Sequence, residues 1–244
     1  MSKLYLRNEQ ERTGEVSIVE AFPFLCSKNH VVSLVGGGGK TTLMYLLAEY
    51  CRAQGYRTLV TTTTHIQRPK EEHWVHNVNE MEQNWNCGKI AVIGEPDGPQ
   101  KIKSADEDLL KAGIERADMV FIEADGAKCM PCKVPNATEP VILPESDIVV
   151  GIMGLEVIGE PMGNVCFRSE EAMKLLQISK EHRLTEEDVV KILTSPQGTK
   201  KNVNARAYYV VLNKCDSEQR YRVGSSLLGR LQEQGIEHAV MTRL

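Results

Sequence analysis

The stretch from His30 to Gly55 constrains the fold more tightly than any other. An apolar, β-branched run, HVVSLV (His30–Val35), leads into four consecutive glycines, Gly36 to Gly39, and then into Lys40-Thr41-Thr42. The strand pattern gives way to a helical one, with Leu43, Leu46, Leu47, Tyr50 and Cys51 on one face and Gly55 as a stop. Strand, glycine loop and helix in this order form a phosphate-binding loop. Glycine lets backbone N–H groups approach an anion with no Cβ in the way. The helix start adds its positive end. Lys40 adds a point charge, and Thr41 offers a hydroxyl to Mg²⁺. Gly36, Gly37, Gly38, Gly39, Lys40, Thr41 and Thr42 are therefore candidate nucleotide-binding residues.

The usual spacing, G-x-x-x-x-G-K-[ST], would place its first glycine at Leu34, inside the strand. Counted from Gly36 the loop is two residues shorter. That form resembles the ATP loop of the Mur-type amino acid ligases.

Further apolar runs follow at Arg57–Thr64, Lys89–Gly94, Asp118–Gly126, Asp147–Gly154 and Ala207–Asp216, with HAVMT (His238–Thr242) as a last short strand. Between them, Ser104 and Glu107 have capping-box spacing for a helix to about Arg116. Thr185 and Asp188 open another to about Leu193, and a final helix runs roughly from Glu218 to Gln234. Strands alternating with helices predict an α/β fold of the P-loop NTPase-like kind: a mostly parallel sheet with helices on both faces. Ligands bind such sheets at the carboxyl ends of the strands. The 244 residues fit a single nucleotide-binding domain over 1–244, with 127–206 as an elaboration.

Composition narrows the partners. Net charge is −4 and 25% of residues are charged, so no basic face for nucleic acid is expected. No apolar stretch reaches membrane-spanning length. The polar start, MSKLYLRNEQERTGEV, lacks a signal-peptide core, so a cytoplasmic protein is expected. Its seven cysteines then read as reduced thiols.

VVLNKCD carries Asn213, Lys214 and Asp216, the N-K-x-D of guanine-specific loops. An aspartate accepts from both N1–H and N2–H₂ of guanine, an edge that adenine lacks. Asn213 would contact the ring and tether the loop, and the Lys214 stem would cover the base. GTP is therefore favoured over ATP. FIEADGAK sets Glu123 and Asp125 just past an apolar strand, where carboxylates hold Mg²⁺ with Thr41 or orient water. The hydroxyls of Thr61–Thr64 could reach metal or phosphate. Cys129 and Cys132 form a C-x-x-C that could share a metal or form a reversible disulfide, with a second copy of the chain completing four ligands across a two-fold axis.

Taken together, LVGGGGKTTLM, LVTTTTHI, IEADGAK, EPVILPESDIVVGIMGLEVIGEP, RSEEA and VVLNKCD resemble the YqeC-like family, from about Val31 to Asp216. The resemblance implies a P-loop fold and a role in maturing selenium-dependent molybdenum hydroxylases, with such a hydroxylase or a selenium-cofactor maturation protein as partner. The chain departs from the family pattern at Phe167-Arg168, where His-Arg is frequent, which leaves Arg168 as a phosphate-contact candidate. Its C-x-x-C is a second departure.

Three functions follow. The leading one is a Mg²⁺-dependent GTP- or ATP-hydrolysing accessory factor, with Lys40, Glu123, Asp125 and Arg168 as its catalytic candidates. A nucleotide-gated carrier or insertion chaperone would use Cys129 and Cys132 to hold selenium or metal. An ATP-dependent kinase or ligase would act on a cofactor precursor.

Overall fold

The computed structural model describes residues 2–8 and 10–244. Its main sheet has nine strands: β1 (Lys3–Arg7), β2 (Thr13–Val16), β3 (His30–Gly36), β4 (Thr58–Thr62), β5 (Ala91–Val92), β6 (Met119–Glu123), β7 (Ile148–Gly154), β8 (Ala207–Asn213) and β9 (His238–Arg243). Their spatial order is β2-β1-β9-β8-β7-β3-β6-β4-β5. Strands β3 to β9 run parallel to their neighbours, and β1 and β2 add an antiparallel hairpin along β9. The glycine-loop strand β3 thus lies between the acidic strand β6 and β7, near the middle of the sheet.

The period-2 pattern of the central strands decides which side chains face which layer. In β3, Val32 and Leu34 join the core under helix α1 (Lys40–Ala53), while Val31 and Val35 face the opposite side. Leu43, Met44, Leu47, Ala48 and Cys51 of α1 are fully buried against the sheet. Each such leucine contributes roughly 1.5–3 kcal/mol through burial. Helices α2 (Val78–Asn86) and α3 (Glu107–Arg116) cover the other face at the β4–β6 end. Helices α4 (Ser169–Leu176), α5 (Glu186–Thr194) and α6 (Glu218–Glu233) form a separate apolar cluster with Val210 and Leu212. The expected α/β architecture is present.

Local readings differ at several places. The α3 cap is Asp106, which accepts from the amides of Asp108 and Leu109; Ser104 lies outside the helix. A carboxylate one residue before the helix outcompetes a hydroxyl set further back. The Lys89–Gly94 run pairs only over Ala91–Val92. The polar start forms the β1–β2 hairpin, a pairing that polar, alternating residues do not announce. Residues 127–206 include β7, a full member of the main sheet, while most of their buried apolar side chains join the α4–α6 cluster. The Thr185 capping box is present as expected.

Candidate functional site

The glycine loop turns where β3 ends. Gly36 has φ +96, and a Cβ there would stand 2.3 Å from the Ile152 carbonyl oxygen. Gly38 has φ +80, and its Cβ would stand 2.4 Å from the Gly154 nitrogen. Both positions demand glycine because the loop passes hard against β7. The loop amides are already engaged. Gly36 N–H donates to Asp125 Oδ2 (3.0 Å), Gly37 N–H to the Ile152 carbonyl (2.8 Å) and Gly38 N–H to the Met130 carbonyl (3.0 Å). The short loop is therefore packed between β7 and the segment after β6. The donors for an anion lie from Gly39 onward, at the start of α1. That helix has no side-chain N-cap and no acidic residue in its first turn. Helices α2, α3, α5 and α6 are all capped by a side chain. Uncapped N-terminal amides favour an anion.

Lys40 is nearly fully buried and folds back over the loop. Its ammonium donates to the Gly36 carbonyl (2.7 Å) and lies 3.1 Å from Asp125 Oδ1 and 3.7 Å from Glu123 Oε1. Thr41 Oγ1 donates to Glu123 Oε2 (2.7 Å). The sequence candidates Lys40, Thr41, Glu123 and Asp125 thus meet in one cluster. Burial raises the Glu123 carboxyl above its ordinary value; Lys40 and Thr41 oppose the shift, and Asp125 adds to it.

A second layer was not read from the sequence. Lys133 is fully buried, donates to the Gly126 carbonyl (2.7 Å), and pairs with Asp125 Oδ2 (3.5 Å) and Glu139 Oε2 (2.9 Å). Arg168 Nε donates to the same Glu139 oxygen (2.8 Å). Arg168 therefore reaches the cluster only through Glu139 and Lys133. A lysine after C-x-x-C carries no pattern that predicts full burial. The signal was the nearby surplus of acid: Glu123, Asp125 and Glu139 need cations once buried. Burial pushes Glu139 up, but Arg168 and Lys133 outweigh it and hold the carboxyl below its ordinary value.

Asn213 is fully buried, and its amide ties three segments together. Nδ2 donates to the Gly38 carbonyl (2.7 Å), while Oδ1 accepts from Thr242 Oγ1 (2.9 Å) and the Leu244 amide (3.3 Å). Lys214 adopts φ +65 and donates from Nζ to the Leu244 carbonyl (3.0 Å). Asp216 is exposed and pairs with Arg220 one helical turn on. Thr42 is exposed on α1, beside Thr41.

Other candidates are placed elsewhere. Thr61 donates to the Ile93 carbonyl (3.1 Å), Thr62 to the Glu123 carbonyl (2.8 Å) and Thr63 to the Val141 carbonyl (2.9 Å). Those hydroxyls hold the backbone together. Cys129 is exposed, whereas Cys132 is buried with its Sγ 3.2 Å from that of Cys166, where Cys132–Lys133 pairs in parallel with Cys166–Phe167. The Cys166 contact and burial raise Cys132 well above the ordinary thiol value, which keeps it protonated. Among the described residues, no group of three or more His, Cys, Asp or Glu side chains is placed to hold a metal. None of their helices is long and apolar enough to cross a membrane.

A parallel sheet, a glycine loop between its central strands and a lysine–threonine–carboxylate cluster at the carboxyl end define an α/β protein of the P-loop NTPase-like fold. A family model described as YqeC protein matches residues 32–170, and the chain belongs to that family. It is similar to the "Uncharacterized protein YqeC" of Escherichia coli (strain K12), with 29% identity over 85% of this chain and 84% of the relative.

Proposed function

We propose that the protein binds and hydrolyses a nucleoside triphosphate, GTP in preference to ATP. The observation that carries this reading is the convergence of Lys40, Thr41, Glu123 and Asp125 on a glycine loop whose following helix lacks a cap. The first amides of α1 and Lys40 would take the phosphates. The hard oxygens of Thr41, Glu123 and Asp125 suit Mg²⁺, which would neutralise charge on the phosphate oxygens. Lys40 would exchange its contacts with Asp125 and the Gly36 carbonyl for phosphate oxygens. Glu123 or Asp125, released from Lys40, would orient the attacking water. Asn213 would hold the base loop against the phosphate loop through Gly38, leaving exposed Asp216 to read guanine after parting from Arg220. The resemblance of the motifs supports a role for this hydrolysis in the maturation of selenium-dependent molybdenum hydroxylases.

A titration with labelled GTP and ATP, with and without Mg²⁺, tests the reading. GTP binding should be lost in Lys40→Ala, and preference should move toward xanthosine triphosphate in Asp216→Asn. Equal binding of ATP, with no effect of Asp216→Asn, would refute the base assignment. Binding of neither nucleotide to the intact protein would refute the reading as a whole.

A further inference from the structure

Beside the nucleotide cluster, the first turns of α1 and the segment after β4 enclose an open cleft of about 490 Å³. Thr41 and Tyr45 line it from the helix; Gln67, Arg68, Lys70 and His73 line it from the other side. This volume suits a small molecule. Two exposed cations, Arg68 and Lys70, and one acid, Glu49, line it. Glu49 itself is paired with Arg52 (2.6 Å).

Arg68 is held in place before any ligand arrives. Its guanidinium lies 4.4 Å from the Trp74 ring centroid and donates to Glu71 Oε1 (2.6 Å). Its backbone N–H donates to the Gln100 carbonyl (2.8 Å). Trp74 is fixed in turn by its indole N–H, which donates to the Gly94 carbonyl (3.0 Å). An arginine on an aromatic face is arranged for planar anions. Two polar atoms in the walls, Tyr45 Oη and His73 Nδ1, are buried with no hydrogen-bond partner. Each carries a desolvation cost, and both lie beneath the cleft surface, so the rings of Tyr45 and His73 and not these atoms face the cleft.

The geometry points to a second-ligand site in this cleft. Its ligand is a small molecule bearing a carboxylate or phosphate on a flat body. Arg68 and Lys70 hold the anion, and the body lies along Tyr45 and His73. Thr41 belongs both to the cleft wall and to the carboxylate cluster, so the occupant borders the nucleotide without entering the glycine loop. That the neighbour is a nucleotide rests on the proposed function; binding in the cleft does not.

The two tryptophans of the chain provide the readout. The ¹⁵N-labelled full chain would be titrated, without nucleotide, with benzoate and separately with phenyl phosphate. The indole signal of Trp74 should move in a saturable way, and that of Trp85, bonded to the Thr58 carbonyl, should stay. The probe that binds more tightly identifies the anion as carboxylate or phosphate. Arg68→Ala and Lys70→Ala should each weaken the probe roughly tenfold, the scale of a charge-assisted contact. GTP affinity should change less than about twofold in both variants. Absence of any Trp74 shift, or equal movement of both indoles, would overturn the proposal. So would loss of the probe in Lys40→Ala with full binding in Arg68→Ala, because the probe would then sit in the glycine loop. Intact probe binding in a chain that binds no nucleotide would support the cleft and remove the nucleotide reading alone.

Discussion

At the scale of single residues, two glycines on either side of α1 separate two costs that sequence alone merges. Gly38 and Gly55 both have positive φ, at +80 and +79. A Cβ at Gly55 meets nothing within 4 Å, whereas one at Gly38 strikes the Gly154 backbone at 2.4 Å. Gly55→Ala should therefore cost only the conformational term, about 1 kcal/mol. Gly38→Ala adds displacement of β7 and should cost roughly 2–4 kcal/mol. For a chain of this size that is roughly 5–15 °C in Tm. Thermal unfolding of the two variants side by side checks this, and equal losses would show that the close approach of loop and β7 is not maintained in solution. Asn213 is the polar counterpart. Its one amide satisfies the Gly38 carbonyl, the Thr242 hydroxyl and the Leu244 amide, so its side chain is structural before any base is bound.

At the scale of elements, the buried charges after β6 set a pH dependence. Glu139 lies between Lys133 and Arg168, and its folded carboxyl sits below the ordinary value of 4.5. A depressed carboxyl stabilises the fold above its unfolded pKa and loses that contribution as pH falls through the folded one. Wild type should therefore exceed Glu139→Gln in urea stability at pH 7, and the gap should close as pH falls below about 4.5. A gap independent of pH would mean that shape, not charge, holds this region. Glu123 runs the other way: its raised carboxyl favours the fold at low pH and weakens it as pH rises through the folded value. Both are glutamates, and their surroundings give them opposite shifts. The same dependence on surroundings explains what was legible. Glycine loop, α1 and the acidic strand end followed from local order, because period and turn chemistry are local properties. The β1–β2 hairpin, buried Lys133 and the Cys132–Cys166 neighbours depend on which segments meet across a turn or pair as strands, which helical and strand period does not carry. The threonines at and just past the end of β4 could be read as ligands or as strand formers, and Thr61, Thr62 and Thr63 bond to the backbone carbonyls of Ile93, Glu123 and Val141.

Across the whole molecule, β1 and β9 meet behind the proposed base loop. β1 pairs with β9 from Lys3 opposite Arg243 to Tyr5 opposite Met241. Tyr5 meets Tyr221 of α6 edge to face, with centroids 5.3 Å apart, and Tyr221 Oη donates to the Thr13 carbonyl (2.8 Å). β9 then supplies Thr242, whose hydroxyl donates to Asn213, and Asn213 holds the Gly38 carbonyl. The hairpin thus fastens the strand that positions the amide between the two proposed nucleotide loops. Removing residues 2–16 would take Leu4 from the core and leave β9 as an open edge. The truncated chain should melt lower and associate at high concentration. Amide exchange in β9 should accelerate, and GTP affinity should fall even though none of the removed residues belongs to the proposed nucleotide site. Calorimetry, hydrogen exchange and nucleotide titration measure the three effects. Unchanged exchange at Thr242 and unchanged affinity would show that Asn213 is held by β8, β9 and the glycine loop without the hairpin. A fall in affinity with accelerated exchange would place the hairpin among the determinants of the site.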